Sequence, residues 1–567
     1  MSLSLSLRTA SVAALLLCLV ALPAVAQSER PAVTQTLAFE NATVITEPGS
    51  EQTGVTVVVR NGIIRTVEAG ASIPFDARVI DADSLYIYAG FIDGFSHTGI
   101  DMPEEEDAGS VDDPGNPSAA RAGVQPERNA SAFFDPGASR VNQLRMQGVT
   151  TAHVAPEGRM LPGQGALVNL HGSNAEAALL TDGVSLFGQF RGARGSWPNV
   201  VSPSTTMGVI SMMRQVLRET ERRQQLEAAY AGDPQGRQRP PRDAAHTALM
   251  PLLDGERPLI FAASSATDAH RILALQREMS FPLMIAGLKE GFNLLDVLQD
   301  ADVPLFLSLD LPERTELDEN EEPTAYDPML RVHDASDTER ERANLEQRLR
   351  AEQERYINQA ATLHDAGLSF GFSTEGVSPG DLHGHLRTLA ESGVPHDVLL
   401  AALTTTPAQT FGVDRQLGRV APGFIANLVV TDGPLFDEDT GIRHVVVDGH
   451  LYTKDEAEAG EVTGDAEAVT GTWTMTLETP QGDIDIEVQL RGDDTGLTGS
   501  VVGPDGSEER LQSISFDGET LSFVVPGSQM GDARVSGTIE EDRFDGTISA
   551  SGMSFDVTGQ RTSPDRR

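Results

Sequence analysis

Short apolar runs alternate with amphipathic stretches between residues 90 and 411. Uninterrupted apolar runs are typical of strands that are buried on both faces, and a 3.6-residue apolar period between them predicts helices. Together with the run Leu85–Ile92, eight such runs predict a (β/α)8 barrel of the TIM type. The other seven are GVTTAHVAP (148–156), GALVNLHG (165–172), VSLFGQF (184–190), RPLIFAAS (257–264), FPLMIAGL (281–288), VPLFLSLD (303–310) and LSFGFSTEG (368–376).

Apolar and polar residues alternate with a period of two on both sides of this region. Leu37–Val79 predicts strands, with a hairpin turn at Asn61-Gly62, and residues 412–452 return to the same pattern. Residues 456–469 are acidic and small, as in a linker. Residues 470–562 contain short strands with turns about every 8–12 residues, which predicts a C-terminal all-β barrel or sandwich.

The first 26 residues predict a secretory signal peptide. Arg8 precedes the apolar run SVAALLLCLVAL, and Ala24-Val25-Ala26 has the small-x-small pattern of a cleavage site. The run is too short to span a membrane. Cys18 is the only cysteine of the chain and would leave with this segment, so we expect a mature protein without disulfides, located in the periplasm or secreted.

The formal net charge of −42 excludes several classes of partner. Nucleic acid and anionic membranes would repel such a surface, so we expect neither as a partner once the signal peptide is removed. A small-molecule substrate or ligand remains the expected partner. The acids are spread along the whole chain, which favours adaptation to a saline environment over one acidic patch for a cationic substrate.

The segment Gly90–His97, GFIDGFSH, carries the first candidate chemistry. It resembles the G-x-I-D-x-H-x-H motif of the amidohydrolase superfamily, in which two histidines at i and i+2 on the first barrel strand bind one divalent metal. His97 retains the second histidine, but Phe95 stands at the first. A phenyl ring has no lone pair to donate to a metal.

Two further segments carry the resemblance. GVTTAHVAPEGRMLPGQGALVNLHG (148–172) is similar to the imidazolonepropionase-like branch, and GRVAPGFIANLVVTDGPLF resembles the family's closing segment, with Asn427 in place of an aspartate. The resemblance implies an amidohydrolase-like barrel over 90–411. It also implies that 30–89 and 412–455 form one discontinuous, composite β-sandwich.

The resemblance implies a divalent metal, zinc, as cofactor, but most of its ligands are replaced here. Ala262 and Gly287 stand where the family has histidines on strands five and six, and Glu375 stands where strand eight has an aspartate. At most His97 and Glu375 remain, whereas catalytic zinc normally has three protein ligands. We therefore expect the metal to be lost, with Glu375 as the candidate catalytic acid–base group.

Four other side chains are candidate substrate-binding residues. His153 can face the barrel interior, although a hydrogen-bonded core histidine is the alternative. Lys289 can fill the charge left by the metal and pair with Glu375 or Glu290, or else be a solvated loop residue.

Arg191 and Arg194, in FGQFRGARGSWP, can hold a carboxylate-bearing ligand or pair with surface acids. His383 and His385 also form an H-x-H pair, but in a segment with a helical pattern. Residues at i and i+2 diverge on a helix, so a shared metal is not expected there.

Two functions follow from these observations. The resemblance implies an exported hydrolase of non-peptide C–N bonds in a cyclic amide, amide or dipeptide-like substrate. The replaced ligands indicate the alternative, a catalytically inactive barrel that acts as a binding or scaffold protein.

Overall fold

The computed structural model describes residues 36–103, 113–172, 174–193, 195, 200–312, 335–454, 469–479, 482–493, 496–502, 508–516, 520–528, 531–540, 542–550 and 553–563. The signal peptide predicted for 1–26 and all of the predicted linker except Val469 lie outside these residues. Among the helices described, none is long and apolar enough to cross a membrane.

Strands from both flanks of the barrel join in one mixed eight-stranded sheet. Its order is β16-β15-β14-β5-β1-β2-β3, with β4 beside β1, so β5 and β14 bring the two flanks together. The two flanks predicted to form one composite β-sandwich thus contribute to a single sheet. Its strands are β1 (Thr36–Glu47), β2 (Ser50–Arg60), β3 (Ile63–Ala69), β4 (Ala77–Asp81), β5 (Tyr86–Ala89), β14 (Leu428–Thr431), β15 (Ile442–Val447) and β16 (His450–Thr453).

The hairpin predicted at Asn61-Gly62 connects β2 and β3. Arg60 is paired with Ile63, and the two turn residues have φ angles of 54° and 73°. Positive φ at both positions defines the tight turn whose twist matches that of the paired strands, and Asn-Gly is the residue pair that accepts it most readily.

The barrel is a second sheet of eight strands, ordered β13-β12-β11-β10-β9-β8-β7-β6. Seven of the predicted runs each supply a barrel strand, whereas Leu85–Ile92 forms β5 of the composite sheet and only the first two residues of β6, so the first barrel strand lies further along the chain than predicted. β8 is antiparallel to both neighbours, so only seven strands are parallel. The strands are β6 (Phe91–Ser96), β7 (Val149–Val154), β8 (Gly163–Asn169), β9 (Leu179–Gln189), β10 (Leu259–Ala262), β11 (Leu283–Leu288), β12 (Leu305–Ser308) and β13 (Gly371–Ser373).

Helices connect and follow these strands. Two of these helices have side-chain caps at their first turns: Thr205 accepts a hydrogen bond from Gly208 N, and Ser265 accepts one from Asp268 N. The α-helices are Ala119–Ala122, Ser139–Met146, Ala175–Ala178, Thr206–Gly232, Ala244–Leu253, Ala266–Met279, Leu295–Ala301, Ala335–Ile357, Gln359–Asp365, Leu382–Glu391, His396–Leu403 and Thr405–Thr410; the 3-10 turns are Ala130–Ala132, Gly291–Asn293 and Pro379–Asp381.

Asn427 ties the composite sheet to the barrel. Its Nδ2 donates to Thr151 Oγ1 and Asn169 Oδ1, both at 3.0 Å, and its Oδ1 accepts from Asp448 N at 2.7 Å. The side chain is buried, so these bonds satisfy groups that water cannot reach. An aspartate has no donor for the two oxygens, which explains why an amide stands at this position.

The C-terminal region forms a third, antiparallel sheet that closes into a barrel. Its order is β20-β19-β18-β17-β25-β24-β23-β22-β21, and the two end strands are separated in the chain only by Leu511. Leu511 N donates to Gly499 O, so β20 and β21 form one bent strand that pairs on both sides. The interior is filled by apolar residues around Trp473, as is common in eight-stranded barrels. The strands are β17 (Gly471–Thr479), β18 (Gly482–Asp493), β19 (Gly496–Val502), β20 (Glu508–Arg510), β21 (Gln512–Phe516), β22 (Thr520–Ser528), β23 (Gly531–Glu540), β24 (Arg543–Ala550) and β25 (Met553–Ser563).

Candidate functional site

Successive side chains of a strand point to opposite faces, so the first barrel has two apolar cores, one facing inward and one facing outward. On β10, Leu259 and Phe261 pack outward against the helices, whereas Ile260 and Ala262 pack inward. The C-terminal end of this inward core is the place where a barrel enzyme of this type would carry its functional side chains. Its members are Phe95, Ala155, Phe187, Ile260, Ala262, Met284, Ala286, Phe306 and Phe411.

Five rings form a continuous aromatic cluster inside the barrel. Adjacent ring centroids lie 4.9 Å apart for Phe187 and Phe95, 6.3 Å for Phe95 and His153, 5.1 Å for His153 and Phe411, and 5.4 Å for Phe411 and Phe306. These distances are typical of packed aromatic pairs. Phe95 is only 2% exposed, so its ring is a core element of this cluster.

His153 lies inside this cluster and is fully buried. Its Nε2 lies 2.8 Å from Ser185 Oγ, whereas its Nδ1 has no hydrogen-bond partner in the structure described. Burial lowers the pKa of His153 to about 3, so the ring is neutral at ordinary pH. The structure thus places His153 in the core and not among the exposed groups of the mouth.

His97 and Glu375 are joined at the C-terminal mouth of the barrel. Glu375 Oε2 accepts a hydrogen bond from His97 N at 3.1 Å. His97 Nδ1 lies 2.7 Å from the carbonyl oxygen of Ala155, and since a carbonyl can only accept, Nδ1 carries the proton. The lone pair of neutral His97 is therefore on Nε2. Both side chains are half-buried.

Asp93 is buried directly beneath this pair. Its Oδ1 accepts from Phe95 N at 3.2 Å and Thr374 N at 2.9 Å, and its Oδ2 accepts from Thr374 Oγ1 at 2.7 Å. Burial raises the pKa of Asp93, and the hydrogen bonds from Ser96, Thr374 and Phe95 oppose that shift. These bonds join the first and last strands of the barrel.

Lys289 pairs with Asp310 rather than with Glu375 or Glu290, which corrects the predicted partners. The Lys289 Nζ–Asp310 Oδ2 distance is 2.5 Å. Glu290 instead accepts hydrogen bonds from Tyr356 Oη and Ala266 N, both at 2.8 Å. Asp310 lies two residues after the end of β12, and its carboxylate neutralises the charge of Lys289.

The remaining candidates are two arginines of the segment FGQFRGARGSWP and two histidines of the helix Leu382–Glu391. Arg191 is exposed, and Arg194 lies outside the described residues. The predicted divergence of the two helical histidines is confirmed: His383 Nε2 lies 3.1 Å from Gln147 O, and His385 Nδ1 lies 2.7 Å from Leu309 O.

The residues at the family's metal position do not fit a divalent metal. Phe95 and Ala262 are apolar members of the inward core, and Gly287 has no side chain. His97 Nε2 and Glu375 leave two donors where three are normally needed. Within the described ranges, no group of three or more His, Cys, Asp or Glu side chains could hold a metal ion.

Sequence reasoning missed Asp93 and Asp310. Asp310 ends the run VPLFLSLD, and an acid directly after a predicted barrel strand is a signal for the mouth. Asp93 stands inside the motif GFIDGFSH, but nothing in the one-dimensional pattern indicated that its partner is Thr374, 281 residues away.

Comparisons with known proteins agree with this architecture. Residues 336–452 match the model of the amidohydrolase family. An amidohydrolase from Thermotoga maritima MSB8 has a similar structure, with a TM-score of 0.57 and 22% identity over 74% of this chain and 100% of that protein. A putative prolidase from Bifidobacterium longum is a more distant likeness, with a TM-score of 0.42 and 16% identity over 74% of this chain and 95% of its own. No curated protein matches the sequence.

The similarity to the Thermotoga protein supports the fold, and the family match covers the last barrel strand with Glu375 and the closing strands β14 to β16. The resemblance read from the sequence is confirmed: the chain has the amidohydrolase fold, and its residues 336–452 match the amidohydrolase family.

Proposed function

We propose that the protein is an exported amidohydrolase-fold barrel that binds a small molecule at its mouth and has lost metal-assisted hydrolysis. The observation that carries this proposal is the position of Phe95. Its ring packs between Phe187 and His153 in the aromatic cluster, where the family has a metal-binding histidine. Restoring a ligand there requires dismantling a packed core.

The mouth offers hydrogen-bond acceptors to such a ligand. His97 Nε2 and Glu375 Oε1 have no partner among the described residues, and the His97 N–Glu375 Oε2 bond holds the two residues together. A carboxylate oxygen and an imidazole lone pair recognise a donor. The ligand chemistry that fits is therefore an amide N–H, a cyclic imide N–H or an amine.

Hydrolysis of a C–N bond is the second candidate function, and the His97–Glu375 pair favours it. A half-buried carboxylate held by one of its two oxygens can act as a general base towards water through the other. Substrates would be cyclic amides, amides or dipeptide-like compounds, and membership of the imidazolonepropionase-like branch remains a prediction.

Turnover and binding of one probe separate the two candidates. Hydantoin is a cyclic amide with two N–H donors, so we expect it to bind to the wild-type protein in saturation-transfer NMR without being hydrolysed. Glu375→Gln should weaken binding, because it replaces the accepting carboxylate with an amide. Hydantoin hydrolysis by the wild type that disappears in Glu375→Gln would establish the hydrolase instead.

The composition of the chain supports the part of this proposal that concerns export. The predicted signal peptide and a charge of −42 fit a protein that stays soluble outside the cytoplasm at high salt. Mass spectrometry of protein from the periplasm or medium should give a mature chain that begins at Gln27. Recovery of the full-length chain in the cytoplasm alone would remove this part of the proposal.

A further inference from the structure

The first and last strands of the barrel meet without a backbone ladder. Strand pairing in the described chain runs from β6 through to β13, and its two ends are not paired with each other. The edge of a sheet left this way exposes unpaired backbone groups. Side chains therefore have to satisfy the backbone groups that face each other across this seam, which we define as 93–98 against 373–377.

Asp93 and Ser373 make the bonds across the seam in opposite directions. Asp93 accepts from both Thr374 N and Thr374 Oγ1, and Ser373 Oγ donates to Phe95 O at 2.7 Å. Asp93 Oδ1 also accepts from Phe95 N, so one carboxylate oxygen fixes the backbone of both strands. The bonds are fully buried, where an unmet partner is costly.

Arg140 braces the outer part of the seam. Its Nη2 donates to Thr374 O at 3.0 Å and Val377 O at 2.9 Å, and its Nε donates to Thr98 Oγ1 at 3.3 Å. Thr374 is therefore held from both sides, by Asp93 within the barrel and by Arg140 outside it. Glu375 is the next residue in the chain, so the bonds that fix Thr374 also restrict where Glu375 lies.

We propose that Asp93 is a positioning residue, which acts through Thr374 to hold Glu375 against the backbone of His97 and so sets the shape of the mouth. The two residues of the mouth come from opposite sides of the seam, and the hydrogen bond described between them is His97 N–Glu375 Oε2. A shift of Thr374 moves one of them relative to the other. The step from mouth shape to ligand binding rests on the proposed function.

Thr374→Val and Thr374→Ser form the matched pair that tests this role. Valine keeps the shape and the backbone N–H but removes the Oγ1 donor, whereas serine retains it. We expect amide hydrogen exchange at His97 and Thr374 to rise about fivefold in Thr374→Val, as for loss of one hydrogen bond. Thr374→Ser should restore slow exchange, and Asp93→Asn should behave like Thr374→Val.

The backbone amides of Phe261 and Ile285, whose side chains pack in the outward core, supply the reference. A general loss of stability would raise their exchange as much as that of His97 and Thr374. Unchanged exchange at Phe261 and Ile285, with faster exchange at His97 and Thr374, supports positioning. An equal rise at all four amides, or none at His97, overturns it.

Hydantoin binding distinguishes a failure of this inference from a failure of the proposed function. A wild type that does not bind the probe, but whose seam amides respond as expected, would refute the proposed ligand and leave the positioning role intact. If the wild type does bind hydantoin, equal binding by Thr374→Val and Thr374→Ser would show that the seam does not shape the mouth, and would overturn the inference.

Discussion

Phe306 lies directly against the backbone of Gly94. A β-carbon built at Gly94 would lie 2.0 Å from Phe306 Cδ1, and one at Gly371 would lie 2.8 Å from the same atom. The ring thus fills space that exists only because both end strands carry glycine next to it. The aromatic cluster is therefore part of the packing of the barrel and not a loose replacement for lost ligands.

Gly94→Ala should destabilise the protein by about 1–3 kcal/mol or more, because the added methyl group overlaps a buried ring. Chemical denaturation measures the change. Gly384→Ala is the matched control: its β-carbon meets nothing within 4 Å, and it lies in the helix Leu382–Glu391. There alanine should stabilise by about 0.5–1 kcal/mol. Equal effects of the two substitutions would argue against a filled interior.

Phe95→His should restore the strand-one histidine pair without restoring a metal site. Ala262 and Gly287 would still supply no donor, and an imidazole placed in the aromatic cluster would bury unpaired polar atoms. We expect a loss of about 1–3 kcal/mol in stability and no stoichiometric zinc in a competition assay with a chromogenic chelator. Tight binding of one zinc would show that the mouth retains more ligands than we infer.

Stability should fall as the pH drops below about 6.5. Burial lowers the pKa of His153 to about 3 and of His171 and His383 to about 4. Between their folded and unfolded values these groups are neutral when folded and protonated when unfolded, so acid favours unfolding. Asp93 acts in the opposite direction, because its folded-state pKa is raised.

His383→Gln isolates one of these contributions. Between pH 4.5 and 6 the unfolded wild type binds most of one proton more at this residue than the folded protein does, so its loss should reduce the slope of unfolding free energy against pH by about 1 kcal/mol per unit. Glutamine can still donate to Gln147 O. Urea titrations at several pH values measure the slope, and an unchanged slope would mean that His383 is protonated in the folded state.

The Lys289–Asp310 pair should contribute little to stability. Its side chains are 34% and 43% exposed, and solvent screens such pairs. A double-mutant cycle with Lys289→Met and Asp310→Asn should give a coupling of about 0.2–1 kcal/mol that decreases with salt. A larger, salt-independent coupling would identify the pair as a buried element of the mouth.

The fold could be predicted from the sequence because its signals are local and periodic. Asn61-Gly62 predicted the hairpin between β2 and β3, and seven of the eight apolar runs predicted barrel strands. The reversal of β8 could not be predicted, since a buried run has the same composition in either direction. Closure of the C-terminal barrel through Leu511 depends on pairing between distant strands and left no local signal.

The candidate site could be predicted only where a motif marked it. The sequence predicted that Phe95 removes a donor, but the other phenylalanines of its core, Phe187, Phe306 and Phe411, come from three distant segments. The Lys289 partner was wrong because a carboxylate two residues past a strand end was not weighed against those in the motif. Side-chain pairing across strands is a tertiary property that spacing does not encode.

The metal content of the purified, mature protein decides whether this barrel has lost its metal site. After incubation with zinc and dialysis, elemental analysis of the wild type and of His97→Ala should show no stoichiometric metal in either, because packed aromatic and small side chains replace the ligands. One equivalent of zinc in the wild type, lost in His97→Ala, would contradict the account and restore a working metal site to this barrel.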